Sequence, residues 1–141
     1  MSPCFVLDKY KTEINFIEHY LEKNKDIAWW YKNGDAKNEI YFAIDYKEKD
    51  KLRAFYSDFI VKYNNGQIGI FDTKEGATAS SEETILKSNA LQSYIKKQNK
   101  TGKKLFGGIV IPNNNKDMKV WKINQDEKYS VDGNWKVLEN K

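Results

Sequence analysis

Hydrophobic positions recur at helical spacing in two parts of the chain. Residues 8–24 carry apolar side chains at intervals of three and four, which predicts an amphipathic helix. The members of this stripe are Ile14, Phe16, Ile17, Tyr20 and Leu21. A second helix is predicted over about 82–99, where Ser80 and Glu83 have the spacing of a capping box and Gly102 follows the end.

The segments outside these helices are rich in aromatic and β-branched residues, which favours strands. The predicted strands cover residues 27–33, 39–46, 53–63, 67–75, 105–111, 118–123 and 134–138. Residues 47–52 are charged and predict a solvated loop, and the apolar run at 105–111 is typical of a buried central strand. Periodicity alone therefore predicts an α/β fold with a mixed sheet.

The tip of the hairpin formed by 53–63 and 67–75 decides which side chains face each other. A three-residue turn at Asn64-Asn65-Gly66, with a positive φ at the glycine, would pair Tyr63 with Gln67. Counting outward, this register places Asp58 opposite Asp72. A two-residue turn at Asn65-Gly66 would place the two aspartates on opposite faces. An acidic site in this hairpin therefore depends on the three-residue turn.

Two aspartates and one lysine would then share a face. Lys74 lies two residues beyond Asp72 and points the same way. Directly opposed side chains have Cβ atoms roughly 4.5–5.5 Å apart, so the carboxylates of Asp58 and Asp72 would repel unless a cation lay between them. Carboxylate oxygens are preferred ligands of Mg²⁺, and we predict a Mg²⁺ or Mn²⁺ site here. The alternative is a hairpin with ordinary solvent-facing charges.

Glu13 occupies an unusual position on the first predicted helix. On a helical wheel it lies at the centre of the apolar stripe, between Phe16 and Ile17. A carboxylate in that position is costly unless it is paired or bound to a cation. The alternative is a favourable interaction with the helix dipole at a frayed first turn. We predict that Glu13 belongs to the site.

The spacing of Asp58 and Asp72-Thr73-Lys74 on adjacent strands resembles the PD-(D/E)XK nuclease superfamily, with Ser57 where that superfamily often has proline. Together with its flanking blocks, the chain resembles the C-terminal endonuclease domain of type III restriction enzyme subunits over residues 8 to 138. These blocks are Trp29–Gly34, Phe55–Val61, Gly69–Lys74 and Lys104–Ile111.

This resemblance implies a restriction-endonuclease-like αβββαβ core, with a mixed central sheet flanked by helices. It also implies a metal-dependent DNA endonuclease. The implied catalytic residues are Asp58, Asp72, Lys74 and Glu13, the implied metal ligands are Asp58, Asp72 and the carbonyl of Thr73, and Gln92 is an accessory candidate. The alternatives are a non-catalytic interaction module that retains the fold, or a stand-alone nuclease acting on RNA or DNA junctions.

Composition restricts the function classes further. The 141 residues are 40% hydrophobic and 31% charged, as in ordinary globular proteins, and we expect one domain spanning 1–141. No apolar run approaches the roughly 20 residues that span a bilayer, so no membrane partner is expected. The N-terminus lacks a signal-peptide pattern, and Cys4 is the single cysteine, which fits a cytoplasmic protein.

The basic residues predict weak, sequence-independent contact with DNA. The net charge is +4, and Arg53 is the only arginine among 24 basic residues. Lysine contacts phosphate as a point charge and does not give the bidentate guanine contact of arginine. The chain also lacks a phosphate-binding glycine motif. By resemblance, we expect a helicase-like motor domain and a methyltransferase subunit as partners, with this chain as part of a longer helicase–nuclease protein.

Overall fold

The computed structural model describes residues 11–33, 42–75, 78–114 and 116–139. It is a mixed α/β fold with a six-stranded sheet and a separate two-stranded sheet, so the predicted fold class is confirmed at this level. The helices are α1 (Lys11–Phe16), which continues as a π-helical turn (Ile17–Leu21), and α2 (Glu82–Asn99). The strands are β1 (Ile27–Lys32), β2 (Ile44–Glu48), β3 (Lys51–Phe55), β4 (Phe59–Tyr63), β5 (Ile68–Thr73), β6 (Leu105–Pro112), β7 (Trp121–Asn124) and β8 (Trp135–Leu138).

The large sheet has the strand order β1-β4-β5-β6-β7-β8. Its neighbours are antiparallel except for β5 and β6, which run parallel and are connected through α2. The end of β1, the start of β4 and the end of β5 therefore meet at one end of the sheet. The candidate chemistry lies at this end.

The predicted register of the β4–β5 hairpin is confirmed. Gly66 has a φ of 93°, and the N–H of Tyr63 donates to the carbonyl of Gln67 at 2.9 Å. Phe59 pairs with Phe71 at the end of the ladder; Asp58 directly precedes Phe59, and Asp72 directly follows Phe71. A turn of three residues is therefore present, as the glycine position predicts.

The two faces of the sheet pack against different helices. Phe59 and Phe71 contact Phe16 of α1, in a cluster of buried aromatic residues. Ile70, adjacent to Phe71, belongs to a second cluster with Leu91 of α2. Since successive strand residues point to opposite faces, β5 directs Asp72 toward the α2 side and Thr73 toward the α1 side.

The segment before β4 differs from its predicted structure. Residues 47–52 are not a loop, because β2 and β3 extend into them and form their own hairpin. Lys49 and Asp50 make its two-residue turn, with φ values of 49° and 60°. Turns with positive φ at both central residues usually have the sequence Asn-Gly. The strand predicted over 53–63 is interrupted at residues 56–58, and residues 39–41 lie outside the described ranges.

The helices agree with their predicted extents apart from details at the ends. The predicted residues 8–10 lie outside the described ranges, and the first helix ends at Leu21 rather than at residue 24. The N-cap of α2 is Ser81, whose hydroxyl accepts from the N–H of Thr84, so the capping box predicted at Ser80 was one residue early. No helix within the described ranges is long and apolar enough to cross a membrane.

Candidate functional site

Asp58 lies in a bend immediately before β4, at the end of the sheet where β5 finishes. Its Oδ2 atom accepts hydrogen bonds from the backbone N–H and from the hydroxyl of Thr73, each at 2.8 Å. The N–H and C=O of one extended residue point to the same side of a strand. The carbonyl of Thr73 is therefore directed toward the Asp58 side of β5.

Asp72 is a buried carboxylate whose side chain is 3% exposed. Its pKa is raised to about 7, mainly by burial and secondly by the nearby charge of Asp58, while Lys74 opposes the rise. The Lys74 ammonium lies 3.2 Å from Oδ2, yet that oxygen accepts no aligned hydrogen bond. Burial lowers the pKa of Lys74, but the attraction of Asp72 together with the charges of Asp58 and Glu83 outweighs this, and the net shift is upward. A charged Asp72 thus lacks full compensation from the protein.

Glu13 of α1 lies close to the Asp58 carboxylate. Burial is the main reason that the pKa of Glu13 rises to about 7, and the charge of Asp58 is the second. Lys32 partly compensates, since its ammonium lies 3.4 Å from Glu13 Oε1 and 3.7 Å from Asp58 Oδ1. The central position of Glu13 on the helical stripe is consistent with its partial burial beside the sheet.

Lys32 was missed in the sequence analysis. It is the last residue of β1 and pairs with Phe59, which follows Asp58 directly. The signal was therefore indirect: only the pairing of β1 with β4 places this lysine next to the carboxylates. Its ammonium also lies 5.3 Å from the centre of the Phe59 ring.

An open pocket of about 330 Å³ occupies this end of the sheet. It is lined by Thr12, Glu13, Asp58, Thr73, Lys74, Glu75 and Thr78. The hydroxyl of Thr12 donates to Glu75 at 2.5 Å and so connects α1 to the segment after β5. The structure thus brings four of the predicted site residues to one pocket, with Asp72 buried behind Lys74 rather than in the wall.

Gln92, the predicted accessory residue, does not line this pocket. It is buried on α2, and its Nε2 donates to the carbonyl of Gly107 at 2.8 Å. Gly107 and Gly108 lie in the middle of β6, where a Cβ at either position would collide with the backbone of a neighbouring strand. The role that the structure gives Gln92 is therefore to hold a closely packed strand.

Asn33 is the second residue that the sequence analysis passed over. It is fully buried, and its backbone N–H donates to the carbonyl of Asp58 at 2.8 Å. Its side-chain amide donates to the carbonyls of Phe42 and Ser57 and accepts from the N–H of Phe42. One asparagine thus connects the end of β1 to both ends of the β2–β3 hairpin and holds the bend that carries Asp58.

The donor atoms suit a hard divalent cation. Asp58, Asp72 and the Thr73 carbonyl offer only oxygen, as Mg²⁺ and Mn²⁺ prefer. The buried Oδ2 of Asp72, which accepts no aligned hydrogen bond, would gain a partner from such an ion. Across the described ranges, no three His, Cys, Asp or Glu side chains form a metal-binding group. A cation here would therefore be held by two carboxylates, a main-chain oxygen and water.

Fold and site together define a mixed α/β protein with a carboxylate–lysine pocket at one end of its sheet. The model of the YagJ family matches residues 6–132, which include every residue of this pocket, and the chain belongs to the YagJ family. Comparisons with curated proteins and with solved structures gave no significant match.

Proposed function

We propose that this chain is a divalent-metal-dependent nuclease domain that hydrolyses phosphodiester bonds of DNA. The observation that carries the proposal is the meeting of Asp58, Asp72 and Lys74 at one end of the β4–β5 hairpin, beside Glu13 of α1. The element order α1, β1, β4, β5, α2, β6 supports a restriction-endonuclease-like αβββαβ core, to which β2 and β3 add a hairpin.

The metal site would consist of Asp58, Asp72 and the carbonyl of Thr73. When bound there, Mg²⁺ or Mn²⁺ lowers the pKa of a coordinated water and neutralises charge on the phosphate. Thr73 fixes the Asp58 carboxylate by donating two hydrogen bonds to one of its oxygens. This leaves Oδ1 of Asp58 as the oxygen that is not held by Thr73.

Lys74 supplies a positive charge in the wall of the pocket. Its ammonium contacts Asp72 and is also attracted by Asp58, so it stays charged and oriented at neutral pH. In this position it orients the attacking water and stabilises the negative charge that develops on the phosphate in the transition state.

Glu13 can exchange a proton near neutral pH. Its pKa of about 7 is suited to a group that accepts a proton from water at the working pH. Lys32 keeps part of the Glu13 population ionised, because its ammonium favours the carboxylate form. We assign Glu13 a role in proton transfer beside the aspartates, where it would accept a proton from the attacking water.

The chain supplies neither a nucleotide-binding motif nor arginines for base recognition. Strand separation and sequence recognition would therefore come from partners, such as the helicase-like motor domain and methyltransferase subunit of type III restriction systems.

The test is cleavage of plasmid and linear DNA at low salt with Mg²⁺ or Mn²⁺. We expect Asp58→Ala, Asp72→Ala and Lys74→Ala each to reduce the rate on the order of 100- to 1000-fold, as for loss of one preorganised electrostatic group. Asp132→Ala and Lys119→Ala, at exposed positions, should keep the parent rate. Metal-dependent cleavage that persists in all three site variants would contradict this assignment, and so would a parent protein inactive on DNA with both metals, alone and with its partner subunits.

A further inference from the structure

The described surface carries a concentration of lysines at the end of the molecule opposite the pocket. Five of the nine residues from 96 to 104 are lysines, none is acidic, and all five lysines are exposed. We call Lys96, Lys97, Lys100, Lys103 and Lys104 the lysine cluster. It extends from the last turn of α2 to the residue before β6.

Sheet topology separates this cluster from the carboxylates. The backbone carbonyl of Lys104 accepts a hydrogen bond from the N–H of Ile68, the first residue of β5. Thr73, at the other end of that strand, contacts Asp58. The five residue steps from Ile68 to Thr73, at about 3.3 Å each, give a separation of roughly 17 Å. An open pocket of about 350 Å³ lies beside the cluster, lined by Gly66, Ile68, Gly102, Lys103, Lys104 and Leu105.

Local stability accounts for only part of the cluster. Lys96 and Lys97 lie in the last turn of α2, where cations interact favourably with the helix dipole. Lys103 and Lys104 follow the helix and gain little from that effect, which fades within one turn. Lys96 contacts Glu127 at 3.2 Å, and among the described carboxylates none is within ion-pairing distance of the other four lysines. This surface is thus positively charged and largely uncompensated.

The chemistry around the cluster selects the class of partner. The adjacent turn presents the polar side chains of Asn64, Asn65 and Gln67, which can donate to phosphate or sugar oxygens. None of the exposed large hydrophobic residues of the described surface lines the pocket beside the cluster; these residues are Trp29, Leu52, Tyr56, Val120, Val131 and Val137. A membrane-binding surface would need apolar anchors, and a protein-binding surface usually carries aromatic or arginine hot spots.

We propose that the lysine cluster binds the phosphate backbone of a nucleic acid, without reading its sequence. Lysines paired with amide side chains and lacking arginine fit backbone contacts rather than base contacts. This proposal goes beyond the nuclease assignment, because binding at the cluster does not depend on the carboxylates. A duplex in contact with both ends of the molecule would extend over at least about five base pairs, at 3.4 Å per pair.

The test measures binding of a labelled duplex of about 20 base pairs by fluorescence anisotropy, with EDTA present so that cleavage does not contribute. The variant is the fourfold Lys97→Gln, Lys100→Gln, Lys103→Gln, Lys104→Gln. Each phosphate contact contributes about 0.9 to the slope of log K against log salt. In the fourfold variant, we expect the magnitude of this slope to be smaller than in the parent by about 2 to 4. We expect the affinity at low salt to be lower by at least about tenfold.

The matched control removes the same charge elsewhere. Lys116, Lys119, Lys128 and Lys136 are exposed, and changing all four to Gln leaves the same net charge as the cluster variant. The control variant should keep most of the parent's slope of log K against log salt. If the cluster and control variants lost DNA affinity equally, net charge alone would explain the effect, and the proposal would be overturned.

Two further outcomes would also overturn it. One is a parent protein that does not bind the duplex at low salt. The other is poly-glutamate competing as well as DNA at equal charge concentration, which would point to an acidic protein as partner. Because cleavage is not measured, an inactive carboxylate site would leave this result unchanged, and the two proposals can fail separately.

Discussion

Thr73 gives both of its hydrogen-bond donors to a single oxygen, Oδ2 of Asp58, at 2.8 Å each. Because Thr73 ends β5 and Asp58 precedes β4, the contact fixes a carboxylate outside regular structure by means of the neighbouring strand. The other oxygen of Asp58 faces Lys32. The orientation of the Asp58 carboxylate is thus set by contacts with Thr73 of β5 and Lys32 of β1, and not by the bend alone.

Thr73→Val should weaken metal binding while keeping the size of the side chain. The variant loses the hydroxyl that holds Asp58, and loss of such a supporting partner costs metal affinity about 10- to 100-fold. Titration calorimetry with Mn²⁺ measures the change. Thr73→Ser keeps the hydroxyl and should bind like the parent, and a valine variant with parent affinity would remove Thr73 from the support of the site.

Lys32→Met should raise the pKa of Glu13 above its value of about 7. The Lys32 ammonium favours the ionised carboxylate, so its loss leaves the effects of burial and of Asp58 unopposed. Carboxyl NMR of protein with ¹³C-labelled glutamate measures the titration directly. Lys62→Met, on β4 beside the turn, is the control and should leave Glu13 unchanged. An unchanged or lowered pKa in Lys32→Met would contradict the electrostatic role assigned to Lys32.

Asp72→Asn should make the metal-free protein more stable at alkaline pH. The folded-state pKa of Asp72 is raised to about 7, so the native state binds more protons than the unfolded state between about pH 4 and pH 7. The free energy of unfolding of the parent therefore falls as the pH rises through this window. The asparagine variant does not lose stability in this way. We expect its free energy of unfolding to exceed that of the parent by about 1 kcal/mol or more at pH 8.

Urea unfolding in EDTA at about pH 5 and pH 8 tests this linkage. The difference between variant and parent should shrink or reverse at the lower pH, where Asp72 is protonated in the native state. Added Mn²⁺ should stabilise the parent and leave Asp72→Asn unchanged. The exposed Asp132→Asn is the control and should follow the parent. A variant less stable than the parent at pH 8 would show that the buried charge is fully compensated.

The sequence was sufficient for features that depend on local rules. One glycine in a three-residue turn determined the register of β4 and β5, and with it the placement of Asp58 and Asp72 beside the terminal Phe59–Phe71 pair. The helical wheel placed Glu13 against the core, where burial raises its pKa. Both inferences rest on the regular spacing of side chains in a strand or a helix, which can be read from a short segment of sequence.

Features that depend on tertiary pairing were not predictable from local rules. Lys32 reaches the carboxylates because β1 pairs with β4 across the β2–β3 hairpin, a relationship between distant segments. The hairpin itself turns at Lys49-Asp50, which carries no strong turn signal. Gln92, an accessory candidate only by resemblance, donates to the carbonyl of Gly107 in β6, a contact between separate elements.

Asn33 provides the last prediction, because it connects three separate parts of the chain. Asn33→Ala would remove three side-chain hydrogen bonds and leave the buried carbonyl of Ser57 and the partly buried N–H and carbonyl of Phe42 without these partners. The expected loss of stability is about 2–4 kcal/mol by urea unfolding, since each unsatisfied buried group costs about 1–3 kcal/mol. Mn²⁺ affinity should fall as well, because the bend that carries Asp58 loses its support. Asn65→Ala, in the exposed turn, should cost less than about 1 kcal/mol. If Asn33→Ala were as mild as this control, the bend would be held by other contacts.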